Sequence, residues 1–204
     1  MKKKHSSLYG RIKKRFFIKI CDVVMEVIMK PLIVGIALII IILILLVFQI
    51  DNYNYRLQSN FLKFCAEEAS NSASLFYNED NFKNGIKIYN EVDGIKSIEH
   101  VIKNYLKTDN GLTPLKESYW SDKISYTAYF FNDNLSCNVY KNGVKIDNFN
   151  FTYPYLYTDK ELNYKKSVGK ASVIVTINAG KINYRLTFTA KPICIRSSGY
   201  EYEI

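Results

Sequence analysis

Histidine is nearly absent from this chain. Two occur in 204 residues, His5 and His100, and there are four cysteines, four prolines and one tryptophan. Two histidines leave little material for a zinc centre or for imidazole-based catalysis. Four cysteines exclude a disulfide-dense mini-scaffold. No phosphate-cradling G-x-x-x-x-G-K-[ST], dinucleotide-type G-x-G-x-x-G, H-E-x-x-H, G-x-S-x-G or C-x-x-C occurs, so no common cofactor, hydrolase or redox signature is present. The chain therefore reads as a non-enzyme with no cofactor and no metal, and no small-molecule substrate is evident. Low-complexity tracts and repeats of 20–50 residues are also missing, which excludes a solenoid.

Anionic charge is scarce at one end. Residues 1–30 carry nine Lys and Arg against Asp22 and Glu26, a net +7, and residues 31–50 carry no charge. The remaining 154 residues hold 19 cations and 17 anions. The basic character thus belongs to the first thirty residues. A nucleic-acid-binding domain would carry it on the folded part, so no nucleic-acid partner is expected. A cytoplasmic flank obeying the positive-inside rule accounts for it.

The next segment, PLIVGIALIIIILILLVFQI from Pro31 to Ile50, is apolar on every helical face except at Gln49. Twenty helical residues rise about 30 Å, the thickness of a bilayer's hydrocarbon core. No small-residue cleavage pattern follows, as it would after a secretory signal. The expected organisation is a basic cytoplasmic flank (1–30), a transmembrane helix (31–50) and an extracytoplasmic α+β domain (51–204). The cell membrane is the expected location, with the lipid bilayer and other membrane-anchored subunits as partners.

The helix is expected to continue past the membrane. Leu57, Phe61, Cys65, Ala69 and Ala73 recur every four residues, with Phe64 and Phe76 beside them. Ala66, Ala69 and Ala73 form a strip of small residues that would let another backbone approach closely, either a neighbouring subunit's or the domain's own. A short hairpin is expected around IKIYN, after Asn84-Gly85. A second amphipathic helix is predicted over about 93–107, from Ile95, Ile98, Val101, Ile102, Tyr105 and Leu106, with Asp93 as N-cap and Asn110-Gly111 as the stop.

From about residue 123 to 204 the period becomes two, and a mostly antiparallel sheet is predicted. Asn142-Gly143 marks a type I′ hairpin that would set Val139 opposite Ile146 and Cys137 opposite Asn148. A second hairpin is predicted at Ala179-Gly180, pairing Ile177 with Ile182, Val175 with Tyr184 and Val173 with Leu186. One apolar face results, with Ile174 as the exception, and a solvated opposite face. The tyrosines of FTYPYLY (Tyr153, Tyr155, Tyr157) read as sheet formers, with a carbohydrate-binding surface as the alternative. Cys137 and Cys194 both fall in predicted strands, so a disulfide between them is one option and buried thiols the other.

The basic leader, the long helix and the C-terminal sheet together resemble type IV pilin-like proteins. The motif MEVIMKPLIVG, followed by RLQSNFLKFCAEEASNSAS, is similar to TadE-like minor pseudopilins of tight-adherence systems over residues 22–76. That resemblance implies a structural component of a bacterial surface filament, secretion or DNA-transfer apparatus. It also implies a peptidase cut between Cys21 and Asp22, placing Glu26 fifth in the mature chain and Pro31 in the anchor. The residues alone read as an uncleaved anchor, with Glu26 and Lys30 as a helical ion pair. An anchored domain that captures a ligand or peptide is the alternative function.

Overall fold

A computed structural model describes residues 17–19, 23–159, 163–181 and 193–201. The chain divides into two compact units, Met1–Ile50 and Asp51–Ile204.

In the first unit, a π-helical turn spans Met25–Met29, and helix α1 (Lys30–Ser74) starts directly after it. Pro31 has no N–H to donate to the carbonyl four residues back, and its ring crowds that carbonyl. The widened turn lies at the residues that must accommodate this. From Leu32 to Ile50 the large apolar side chains stand exposed all round the helix, except Val47, which is half-buried. By length and composition this stretch is apolar enough to cross a membrane.

The second unit is α+β. Among the described residues it contains the rest of α1, a short helix α2 (Glu79–Lys83), helix α3 (Glu91–Leu106) and seven strands. These are β1 (Ser125–Phe131), β2 (Ser136–Lys141), β3 (Val144–Asn150), β4 (Tyr155–Asp159), β5 (Tyr164–Val168), β6 (Ser172–Lys181) and β7 (Ile193–Glu201). Five form an antiparallel sheet in the order β3-β2-β1-β6-β7, and β4 and β5 form a separate antiparallel pair.

Alternation along β1 and β6 sends Tyr126, Ala128, Phe130, Val173, Val175 and Ile177 to one face of the sheet. There they share a core with Leu62, Cys65, Ala66, Ala69 and Ala73 of α1 and with Ile98, Ile102 and Leu106 of α3. Helix α3 is tied down by hydrogen bonds as well as by packing. Glu91 accepts from Asn138 Nδ2 and the Tyr140 hydroxyl, and Glu99 Oε1 accepts from the Tyr126 hydroxyl at 2.9 Å.

The opposite face is not solvated as the alternation predicts. Phe131, Cys137, Val139 and Ile174 lie in a second core with Phe151, Tyr157 and Val168, contributed by β4, β5 and the segment before them. Ile174 breaks the inward pattern of β6 because it belongs to this second core. Tyr153 and Tyr155 pack against the same cluster, so the FTYPYLY aromatics serve as packing residues.

Several expected details change. The cap of α3 is Asn90, whose side chain accepts from the Asp93 N–H at 3.3 Å. Its end is Lys107, in the left-handed conformation, ahead of Asn110-Gly111. Around IKIYN there is a single Tyr77–Tyr89 bridge rather than a hairpin, and Asn84-Gly85 closes α2. The turn at Asn142-Gly143 forms as predicted, both residues having positive φ. A bulge then shifts the register between Val139 and Tyr140, so Val139 faces Asp147 and Cys137 faces Phe149.

Ala179-Gly180 is not a hairpin turn. Strand β6 runs on to Lys181 and pairs with β7, Ile177 facing Arg196. Gly180 has φ +76°, and an added Cβ would collide with the Asp122 side chain. A glycine required for a left-handed bulge produces the same sequence signal as one required for a turn. Residues 182, 184, 186 and 188 lie outside the described residues.

Candidate functional site

Of the four residues singled out around the start of the apolar run, the structure describes Glu26 and Pro31. Glu26 Oε1 lies 2.6 Å from Lys30 Nζ, an exposed pair one helical turn apart, and Pro31 follows at once. The charge of Glu26 is thus balanced within its own helix. Cys21 and Asp22, the residues flanking the implied cut, lie outside the described residues.

The alanine strip faces inward. Ala66, Ala69 and Ala73 are 0% exposed and pack in the first core of their own domain, so they offer no surface to a neighbour. Helical geometry explains why Leu57, Phe61 and Phe64 are exposed although they share the same four-residue spacing. Each four-residue step overshoots a full turn by about 40°, so Leu57 and Ala73 end about 160° apart. A four-residue repeat winds round a helix and does not mark a single face.

Cys65 and Cys137 are buried free thiols. Burial pushes the Cys65 thiol up to about 12, and Cys137 higher, the latter with help from Asp147 and Glu91. The Cys137–Cys194 disulfide does not form. β2 and β7 are separated by β1 and β6, about 14 Å apart at ordinary strand spacing, whereas a disulfide needs Cα atoms within about 7 Å.

Three features were not singled out from the sequence. The first is an open groove of about 660 Å³, lined by Leu57, Phe61, Tyr105, Lys107, Tyr119 and Trp120 among others. Phe61 and Tyr105 are in ring contact at 5.4 Å, and Lys107 Nζ lies 3.7 Å from Glu117 Oε2. Trp120, the only tryptophan, is nearly buried, and among the described residues no hydrogen-bond acceptor reaches its indole N–H. The groove brings together α1, the end of α3 and the loop after it, three segments that periodicity treats separately.

The second is Lys87. It is buried with its ammonium 5.1 Å from both the Tyr77 and Tyr89 rings. Its backbone N–H donates to Asp133 Oδ2 at 2.8 Å, and the Asp133 N–H donates to its carbonyl at 3.0 Å. Burial lowers the ammonium to about 8, with the Asp133 carboxylate acting against the shift.

The third is the β3 edge. Val144 and Ile146 are exposed there, but the bulge and Lys145 make it a poor template for an added strand. Among the described residues no cluster of His, Cys, Asp and Glu could hold a metal. His100 is exposed and bonded to Asn104.

No protein-family model, no curated protein and no solved structure matches this chain. The functional reading therefore rests on the residues themselves.

Proposed function

We propose that the protein is a single-pass membrane-anchored structural component. Residues 1–30 lie in the cytoplasm, 31–50 cross the membrane and 51–204 form an extracytoplasmic domain. The observation that carries this reading is the set of exposed large apolar side chains between Leu32 and Ile50, with Val47 alone half-buried. No water-facing helix keeps such a surface on all sides, since each buried methylene gains about 0.8 kcal/mol. The +7 flank sets the orientation. The pilin-like, TadE-like assignment adds a role in a bacterial surface filament, secretion or DNA-transfer apparatus. It is supported by the order of parts: acidic residue, proline, apolar run, small-residue helix, antiparallel sheet.

Alkaline-carbonate extraction of membranes tests the anchor. The full-length protein should stay in the pellet; release into the supernatant would reject it. The mass of the extracted protein tests processing. Retention of residues 1–21 is expected for an uncleaved anchor, and their loss would favour the pilin-type cut.

A second reading, an anchored binding module, is favoured by the groove. Concave, largely aromatic surfaces with a few polar groups are the usual form of ligand sites. Trp120 lines it, so indole emission reports occupancy. A screen of aromatic and sugar ligands that leaves that emission unchanged rejects this reading.

A further inference from the structure

Beyond residue 50, helix α1 is apolar on two opposite faces. One packs into the domain. The other carries Tyr53, Leu57, Phe61 and Phe64, which are 67%, 53%, 41% and 57% exposed. Leu57 and Phe64 each stand nine residues, two and a half turns, from the buried Ala66 and Ala73, which puts them on the far side of the helix. Exposed apolar side chains are ordinary when scattered singly. Four in one stripe three turns long are not.

The spacing follows a heptad. With Leu57 and Phe64 as a positions, Tyr53 and Asn60 are d, Phe61 and Glu68 are e, and Arg56 and Lys63 are g. In a parallel two-stranded coiled coil, each g side chain meets the e side chain five residues on in the partner helix. Lys63 then meets Glu68 of a second copy, and Arg56 meets its Phe61, a cation over an aromatic ring. Two-fold symmetry makes each contact twice. Arg56, Lys63 and Glu68 are all exposed, and Lys63 has only a long 3.6 Å pair to Glu67 within its own helix.

We propose that the stripe Tyr53–Leu57–Phe61–Phe64 is the seam of a parallel two-fold homodimer, closed by the Lys63–Glu68 pairs between copies. Complementary charges on the rims of one stripe name a second copy of this chain as the occupant. Two heptads alone are too short for a stable dimer in water. Anchoring both chains in one membrane with the same orientation raises their effective concentration and fixes the parallel sense. This orientation rests on the anchored reading above.

Disulfide trapping in native membranes tests the seam. The parent chain carries Cys21→Ser and Cys194→Ser; Cys65 and Cys137 are buried. Leu57→Cys and Phe64→Cys should each give a product of twice the chain mass on mild oxidation. Lys83→Cys, on α2, should not. Lys63→Glu should lower trapping at Phe64→Cys about tenfold, through the loss of two exposed pairs and the repulsion that replaces them. Adding Glu68→Lys to Lys63→Glu should restore it. The proposal is overturned if neither seam cysteine yields the dimer mass, if Lys83→Cys traps equally well, if the product has another mass, or if the charge swap fails to restore trapping. Loss of the protein from carbonate-washed membranes, by contrast, rejects the anchor and is scored separately.

Discussion

Gly94 lies directly against the Phe130 ring. A Cβ at Gly94 would stand 3.0 Å from Phe130 Cε1 and 3.3 Å from Cζ, with the Ala73 carbonyl at 3.5 Å. Helix α3, helix α1 and strand β1 therefore meet where only a hydrogen fits. Phe130 cannot swing away easily, because Tyr89 and Tyr140 hold it at ring-centroid distances of 5.9 Å. Gly94→Ala should destabilise the domain by about 1–3 kcal/mol, the usual cost of overpacking a closed core. That cost exceeds the gain of up to about 1 kcal/mol that alanine brings to a helix interior. Chemical denaturation of the detergent-solubilised chain measures it, and an unchanged midpoint would contradict the contact.

Ala69 makes the same point from the other helix. Ala69→Leu adds three carbons at a position with no exposure. It should lower the melting temperature by an amount equivalent to about 1–3 kcal/mol. Leu57→Ala, on the face of the same helix that the domain leaves exposed, should leave the detergent-solubilised monomer within about 0.5 kcal/mol of wild type. Equal effects of the two would mean that the helix is rotated from the orientation described.

Lys87 should leave a signature in the pH dependence of stability. Its ammonium falls from an ordinary value of 10.5 to about 8 in the folded chain. Between these values the unfolded chain binds the proton and the folded chain does not, so stability rises with pH through that window. Below about pH 8 both states are charged and the full penalty of burying the ammonium remains. The buried thiols, and tyrosines such as Tyr126 and Tyr157, are shifted upward. These oppose the rise above pH 9, so the clean readout is a difference. The stability of wild type minus that of Lys87→Met should grow from pH 8 to about 10. A flat difference would remove the buried cation from the account.

The thiols give a direct test of burial. With Cys65 pushed up to about 12 and Cys137 higher, neither carries appreciable thiolate near neutrality, and neither is reachable. Iodoacetamide at pH 7.5 should leave both unmodified in the folded chain and modify both in denaturant. Rapid labelling of either in the native state would contradict the core.

What periodicity could and could not reveal follows from these residues. The apolar run, α3, the strands β1 to β3 and the Asn142-Gly143 turn were legible, because each is set by local pattern or by local turn chemistry. The bulge opposite Val139 was not, since nothing local marks a one-residue slip. Gly180 was misread because left-handed backbone is needed in bulges and turns alike. The inward position of Ala69 and the outward position of Leu57 needed the helical angle rather than the spacing alone. Ile174 looked like an error in the pattern of β6 until the β4–β5 pair supplied a second core for it. The groove and the Lys87 pocket stayed hidden because they join segments far apart in the chain: Phe61 with Tyr105 and Trp120, and Lys87 with Asp133.

The central claim is that one apolar helix crosses the bilayer and holds residues 51–204 outside. Lys83 is exposed on α2, which makes it a suitable reporter. The most direct measurement is labelling of Lys83→Cys, in the parent with Cys21→Ser and Cys194→Ser, by a membrane-impermeant maleimide on intact spheroplasts. The account predicts full labelling before lysis, equal to that after lysis. Labelling only after lysis would place the domain in the cytoplasm and contradict the account.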